Sequence, residues 1–527
     1  MQFYGNSYDG IPTDNNIAIS NDGNIISVSN STIYTYKYPN DTVIRAISLE
    51  AFTDTTLPVL NKYDPKVLYD PKSDRFILVY LNANRSSDNH IMVAFSESGD
   101  PNANWFQYAL PGNPKLNQTW SDYPIIAISD EELFITVNLI KDDSSWQAGF
   151  SESIIWQIKK SNGYTGDSLQ TKLWSNITFN GTSIRNLCGI QGGSTTYGPS
   201  MYFLSNRNFS ALNDSAFLIT ISGRIQDSPS LNIRHIKLNN SYCLPPNATQ
   251  RTNLFLQTND ARFLSGFIEN NQIHAVGNTI YAPSGKAGIF HVVIENPSSA
   301  TTASLTAIGD TLFDYGYPNI AYSGKNSSDN QCIIGFNHCA KDSFPGTSAM
   351  FYEKWAGYSD RVQLIKGESY VNLISGNLER WGDYSGAQRK YNEPGHVWLS
   401  GFLGRRITGG VGGIVYANTT WISEVRSPYS IRVGLAPIQK TKEITVFPNP
   451  STDRVSIQFD ISKESLVQVF ITDLSNGREY LVYTDNMSTG KKNLSFSTEP
   501  LHSGTYLIRV LSKNGDMFYT QKWVIAR

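Results

Sequence analysis

The segment WSDYPIIAISDEELFITVNL, residues 120–139, opens on an aromatic and an acidic residue, runs through an apolar stretch, turns on polar residues and returns through a second apolar stretch. Runs rich in β-branched and aromatic residues, bounded by turn residues, read as paired strands. The same unit recurs as DNNIAISNDGNIISVSN at 14–30 and DPKVLYDPKSDRFILVYL at 64–81. More degenerate copies are RNLCGIQGGSTTYGPSMYFLSNR at 185–207 and RFLSGFIENNQIHAVGNT at 262–279. YPNIAYSGKNSSDNQCIIGFNH at 317–338 and WGDYSGAQRKYNEPGHVWLSGFL at 381–403 complete the series. The openings are the firmest mark of repetition. Trp120-Ser-Asp122-Tyr123 and Trp381-Gly-Asp383-Tyr384 share W-x-D-Y, 261 residues apart, and Asp314-Tyr-Gly-Tyr317-Pro318 is a looser relative.

Seven such units, spaced 50–77 residues apart, suit an all-β chain folded as a seven-bladed β-propeller over residues 1–434. Each unit supplies the two inner strands of a four-stranded blade. HIMVAFSES at 90–98 and SESIIWQIK at 151–159 read as outer strands. A six- or eight-bladed ring and two stacked β-sandwiches are the competing arrangements. Apolar residues almost never recur with helical period over three turns.

Composition sets the class of partner. Of 527 residues, 40% are apolar and 12% aromatic, ample for folded cores, while only 17% are charged and the net charge is -2. No basic block exists, which argues against nucleic acid and anionic membrane as main partners. No run of eighteen apolar residues is present, so no transmembrane helix is expected. Met1 opens on polar sequence without a charged and an apolar region behind it, so a signal peptide for export is absent from this sequence.

At LAPIQKTKE, 435–443, aromatic density drops and a linker begins. Beyond it, ITVFPNPS, RVSIQF, SLVQVFITDL, REYLVYT, KNLSFS, GTYLIRVL and MFYTQKWVI are short alternating strands, the pattern of a small Ig-like β-sandwich over 444–527. Its markers are Phe447-Pro448-Asn449-Pro450, Ile471-Thr-Asp473-Leu474 with Gly477-Arg478, Gly504-Thr505-Tyr506 within LHSGTYLIRV, and the closing QKWVIAR, which contains Lys522. In order and spacing this segment resembles the type A C-terminal sorting domain of the type IX secretion system of Gram-negative bacteria. Asn476, in SNGR, departs from the serine or threonine usual there. The resemblance implies passage through the periplasm, docking on the outer-membrane translocon, and commonly removal of the tail by a sortase-like peptidase. The product is then secreted or held at the cell surface. The first half, through its W-G-D-Y-S-G segment, resembles exported propellers that carry such tails.

In a propeller, the opening residues of successive blades converge near the axis on one face. Here that ring comprises Asp64, Trp120, Asp122, Tyr123, Arg185, Arg262, Tyr317, Trp381, Asp383 and Tyr384. Flat aromatic faces and fixed charges around a concavity suit a glycan or a polar protein ligand; the competing reading is that Trp and Asp brace one blade against the next. A binding or structural role follows from the first reading. The alternative is a sialidase-like glycoside hydrolase, with Arg185, Arg262 and Arg380 holding a substrate carboxylate and Tyr317, Tyr384 and Asp122 supplying chemistry, although S-x-D-x-G-x-T-W boxes are absent. An enzyme predicts convergent buried carboxylates with shifted pKa in an axial pocket. A binder predicts a shallow aromatic surface, and a structural protein a plugged axis.

Other signals are weaker. His338-Cys339 has no second pair at zinc spacing, so no metal site is expected there. Ser20-Asn-Asp22-Gly23-Asn24 and Asp70-Pro-Lys-Ser-Asp74 offer oxygens to calcium but read equally as hairpin turns; no other cofactor is implied. No G-x-S-x-G elbow, phosphate loop or dinucleotide fingerprint occurs. Thr42, Thr55, Ser168, Ser215 and Thr311 each follow an Asp and precede an aliphatic residue or threonine, resembling the O-glycosylation signal of bacteria with this secretion system. Cys332 and Cys339 lie on one extended run of roughly 23 Å and bridge only if the chain turns back, since bridged Cα atoms lie within about 7 Å. Cys188–Cys243 is the freer disulfide, and four buried thiols are the alternative.

Overall fold

The computed structural model describes the chain apart from residues 8–11, 59, 252, 327, 375, 409–413, 429–443, 462–463, 476–477 and 513–517. It divides into two compact units, Met1–Ser427 and Pro428–Arg527. The linker read at 435–443 lies outside the described residues.

The first unit is a seven-bladed propeller. Blades 1 to 3 are single antiparallel meanders, led from the axis by Asn16–Ile19, Lys62–Asp70 and Thr119–Ile128. Cys188–Gly189 and Phe263–Glu269 lead blades 4 and 5, whose outer strands Ser230–Tyr242 and Thr302–Ile308 pair in parallel and seal both edges. Asp314–Tyr322 leads blade 6. Blade 7 takes Gly386–Arg389, His396–Thr408 and Ile414–Arg426 from the far end of the ring and its outermost strand, Gln2–Tyr4, from the beginning of the chain, with Phe3 opposite Ile422. Every repeat read from the sequence, including the two degenerate copies, is the inner hairpin of one blade.

The cores lie between blades. Ile77, Val79 and Val93 of blade 2 meet Ile126, Ile135 and Ile154 of blade 3, all buried. Alternation places one apolar set on each sheet face, so every blade has two faces to cover and needs a neighbour on both sides. One buried ion pair crosses the blade 2–blade 3 interface: Lys160 Nζ lies 2.7 Å from Asp70 Oδ2, which also accepts from Tyr164. Asp70 is thereby committed, and both proposed calcium loops are hairpin turns, the first closed by Asn24 N–H donating to Ser20 Oγ.

All four cysteines are free. The expected Cys188–Cys243 bridge is not made. Cys188 is on the innermost strand of blade 4 and Cys243 follows its outermost strand, three ladder spacings away, about 14 Å. That is twice what a disulfide spans. Cys332 and Cys339 stay apart along one strand, Gln331–Ala340.

Near the axis the chain is kinked at the entry to the inner strands of blades 1 to 6. Asp14, Asp64, Tyr123, Asn186, Asn259 and Tyr317 have φ between 40° and 56°, a region costly for residues with a Cβ. The ladder slips beside several of them, at Tyr63/Lys66, Asp122/Ile125 and Gly316/Asn319. These are β-bulges, which re-aim side chains.

An asparagine at the axial end of a second strand holds the next blade's kink. Asn30 Oδ1 accepts from Asp64 N–H, Asn138 Oδ1 from Asn186 N–H, and Asn278 Oδ1 from Tyr317 N–H at 2.8 Å. Two further asparagines reach the next blade away from its kink: Asn206 Nδ2 donates to the Ala261 carbonyl, and Asn337 Oδ1 accepts from Phe402 N–H in the second strand of blade 7.

The second unit is a two-sheet sandwich of seven strands. One sheet is Thr445–Phe447, Arg454–Ile461 and Gly490–Ser497; the other is Glu479–Met487, Ser465–Asp473, Gly504–Ser512 and Phe518–Ile525. Val455, Ile457, Val469, Ile508 and Trp523 fill the space between them. The opening and closing motifs form one clasp: Asn449 Oδ1 accepts from Val524 N–H, Asn449 Nδ2 donates to the Lys522 carbonyl, and Trp523 Nε1 donates to Ser451 Oγ.

Replacing Asn278 by Ala leaves the buried Tyr317 N–H and the Thr258 carbonyl without their partner. The expected loss is about 2–3 kcal/mol, read as a lower urea midpoint with an unchanged m-value. A midpoint within error of the parent protein would show that the clamp contributes nothing.

Candidate functional site

The kinked openings enclose a cavity of about 350 Å³ at the axis. Asp64, Trp120, Asp122, Tyr123, Arg185, Arg262 and Asp383, all read from the sequence as ring residues, line it. Tyr317, Trp381 and Tyr384 do not. They are buried behind the lining: the Tyr317 hydroxyl donates to the Gln257 carbonyl, the Tyr384 ring lies 6.4 Å from that of Tyr123, and Trp381 packs edge-on to Tyr317. These three are packed between blades: Tyr317 sits in the bulge of its strand, and Trp381 and Tyr384 lie in the irregular segment between Leu378–Arg380 and Gly386–Arg389.

Asp14, Asn30, Tyr63, Asn138, Trp146 and Arg380 also line the cavity and were not in the predicted ring. Asp14 opens the first repeat and was legible there. Tyr63 directly precedes the Asp64 opening. Arg380 sits just before the W-G-D-Y opening and is placed by a short parallel pairing of Leu378–Arg380 with Phe255–Gln257. Trp146 comes from an irregular connection between strands, where no periodic signal exists.

Charge is arranged in layers. Arg262 is clamped by Asp260, Nε to Oδ1 at 2.8 Å and Nη2 to Oδ2 at 2.7 Å, and its guanidinium lies 4.4 Å from the Tyr123 ring. Arg380 Nη2 donates to Asp383 Oδ2 at 2.5 Å, and Asn259 donates to the other oxygen. Asp14 Oδ1 accepts from Asp383 N–H at 2.6 Å, while its Oδ2 is buried with no hydrogen-bond partner among the described residues. Arg185 is ringed by Phe150, Phe209 and Trp146, and it also lines a second cavity of about 510 Å³ beside Arg207 and Phe209.

Proton affinities follow from this arrangement. Burial, then the neighbouring charge of Asp383, pushes Asp14 up to about 7. The same two causes raise Asp122 to about 6. Burial, then Asp14 and Asp122, raises Asp64 well above the usual carboxyl range. Burial also opposes ionisation of Asp383, but Arg380 and Arg262 outweigh it and hold that carboxylate below its ordinary value. Lys66, buried with its Nζ over the Tyr384 ring, is lowered by burial to about 7. The cavity therefore holds carboxyls biased toward protonation beside one biased toward ionisation.

The remaining sequence-predicted positions are dispersed. Thr42, Thr55, Ser168 and Thr311 are exposed, while Ser215 is half-buried in the ladder opposite Lys237. In the second unit Phe447 is exposed and leads into Pro448-Asn449-Pro450; Gly504, Thr505 and Tyr506 open one strand and Lys522 lies in the last. Arg478 stacks near Tyr480, and its carbonyl accepts from Asp473 N–H. Asn476 and Gly477 lie outside the described residues.

Residues 445–526 match the family described as the secretion system C-terminal sorting domain. The chain is thus a β-propeller carrying the sorting tail of a type IX secretion cargo, and its destination is the cell surface or the extracellular space. No curated protein matches it. Similar solved structures include an α-L-arabinofuranosidase, Arb93A, of Fusarium graminearum, at 9% identity over 81% of this chain and 96% of that one, TM-score 0.37. The α-L-arabinanase of Cellvibrio cellulosa complexed with arabinohexaose is 9% identical over 67% of this chain and 95% of that one, TM-score 0.29. PorZ, a surface component of the type IX secretion system of Porphyromonas gingivalis, is 9% identical over 97% of this chain and 81% of that one, TM-score 0.16. At these TM-scores the likenesses carry no chemical assignment to this chain. No helix among the described residues is long and apolar enough to cross a membrane.

The folded protein holds the Asp14 and Asp122 protons more tightly than an unfolded chain, whose carboxyls titrate at about 4. These groups therefore cost stability as pH rises from that value through about 7. Asp14→Asn keeps the acceptor for Asp383 N–H and removes the titration. The variant should match the parent protein at pH 4 and exceed it at pH 8 in chemical unfolding. An equal difference at both pH values would refute the assignment.

Proposed function

We propose that the propeller is an exported carbohydrate-active module that binds an acidic saccharide in the axial cavity and cleaves it by acid–base catalysis. The observation that carries this reading is the convergence of Asp14, Asp64 and Asp122, all biased toward protonation, with the ionised Asp383 on one cavity. Glycoside hydrolysis needs a carboxyl that is protonated at working pH and a second that is not. Asp122, raised to about 6 and open to the cavity, is the general acid. Trp120 and Trp146 offer faces to a sugar ring, and a cavity of about 350 Å³ suits one or two such rings.

Arg185, Arg262 and Arg380 line the same cavity, which favours a carboxylate-bearing sugar. Arg185 Nε is buried without a hydrogen-bond partner among the described residues. The second reading, binding without turnover, rests on Asp383: its oxygens are occupied by Arg380 and Asn259, which leaves the ionised carboxylate poorly placed to attack or to activate water.

A panel of neutral and acidic glycans scored for both retention and product release separates the two. Retention with release limited to acidic glycans is expected, with the rate falling as pH climbs through about 6. Asp122→Asn should lower turnover about 100-fold or more while retention survives. Retention without release at any pH would leave binding alone, and no retention would remove both readings.

The tail sets the route of export. We infer that it docks on the outer-membrane translocon and is removed on arrival. Protein recovered from outside the cells should end near residue 440 by intact mass; a mass including Arg527 would make the sandwich a lasting part of the protein.

A further inference from the structure

Between blades 5 and 6, apart from the residues that line the axial cavity, two imidazoles and a thiol face one another. His274 and His291 lie on neighbouring strands of blade 5, and Cys332 comes from the second strand of blade 6. All three are buried, and their ligand-type atoms lie within 4.8 Å of one another. His274 Nδ1 is 3.0 Å from His291 Nε2. The surrounding cluster is apolar, with Val276, Ile289, Ile334 and Met350.

Buried imidazoles need hydrogen-bond partners, and these two find them in each other and in Tyr358; the thiol beside them adds a third, soft donor to the same spot. The Tyr358 hydroxyl is 2.8 Å from His291 Nδ1, which leaves Nε2 pointing toward His274 and Cys332. The His274 ring is stacked flat on Phe267, 5.0 Å away at 5°, which fixes its Nδ1 edge. Outer hydrogen bonds that set the tautomer and aim of an imidazole are the usual support of a metal ligand. An ion about 2.0–2.3 Å from nitrogen and sulfur ligands sits among donor atoms about 3.5 Å apart, so sub-ångström to ångström shifts would close this set.

We propose that His274, His291 and Cys332 bind a single cuprous ion in a trigonal two-nitrogen, one-sulfur site. A thiolate selects soft ions. Three ligands satisfy copper(I), whereas zinc asks for a fourth, and no further His, Cys, Asp or Glu joins these three among the described residues. Charge points the same way: one thiolate, two neutral imidazoles and a monovalent cation sum to zero, whereas a divalent ion would leave a buried positive charge. On binding, the Cys332 S–H bond breaks, an S–Cu bond forms and the proton leaves to solvent; His274 carries its remaining proton on Nε2, and no electron is transferred.

The test uses the full chain, reduced and metal-free, titrated anaerobically with Cu⁺ against a chromophoric Cu⁺ chelator. One Cu⁺ per chain is expected, with binding at least 100-fold weaker in Cys332→Ala and in His291→Asn, and a higher melting temperature on loading. X-ray absorption on the loaded parent protein should show one sulfur and two nitrogen neighbours, a readout that needs no variant to fold. Failure to bind one equivalent, unchanged binding in Cys332→Ala, or an absorption spectrum without sulfur would overturn the site. Stoichiometric Zn²⁺ uptake that excludes Cu⁺ would overturn the copper assignment.

Discussion

The asparagine that ends a second strand and clasps the next blade's kinked opening is the bond on which the propeller's centre depends. Asn30, Asn138 and Asn278 each satisfy a backbone N–H that the bulge has taken out of its own ladder. Buried N–H groups without partners are costly, so the kink is tolerable only because the preceding blade supplies an acceptor. Blade faces pack through ordinary apolar contact, which fixes distance but little else. Asn30, Asn138 and Asn278 add directional bonds that set the entry strands of blades 2, 4 and 6 against the blade before each.

The kinked openings carry the cavity's chemistry. Asp14, Asp64 and Tyr123 combine left-handed backbone with side chains on the axial cavity. Carboxyls gathered in this way repel one another and lose water together, so the proton affinities of Asp14, Asp64 and Asp122 all rise. Asp383 is the exception because Arg380 and Arg262 compensate it. Backbone strain, burial and ion pairing are therefore three terms in one balance.

The fold was readable in the sequence because each inner hairpin is local: two apolar runs and a turn within about twenty residues repeat even where the letters have drifted. The sandwich was readable for the same reason. The ring of site residues was readable in part, since W-x-D-Y and its relatives mark the axial end of each blade. What separated Asp122 from Tyr384 lies outside alternation: Asp122 stands beside a bulge on a strand, whereas Tyr384 lies in the irregular segment before Gly386–Arg389. The clasping asparagines stand at the ends of the repeats, in FITVNL, MYFLSN and HAVGN. They carry no distinct signal there, because an asparagine that closes an apolar run is equally an ordinary turn residue. Trp146 had no signal at all, as it comes from an irregular connection.

The strand Gln2–Tyr4 finds its partner only in Ile414–Arg426. During synthesis, six blades' worth of chain must wait, with one unpaired edge, until the last hairpin has been made. The sorting tail is encoded immediately downstream of that hairpin. A chain cut short before the end of that hairpin thus lacks both a closed ring and the tail, while a chain that bears the tail already contains every strand the ring uses. Linear order makes possession of the tail a sign that all seven blades have already been synthesised.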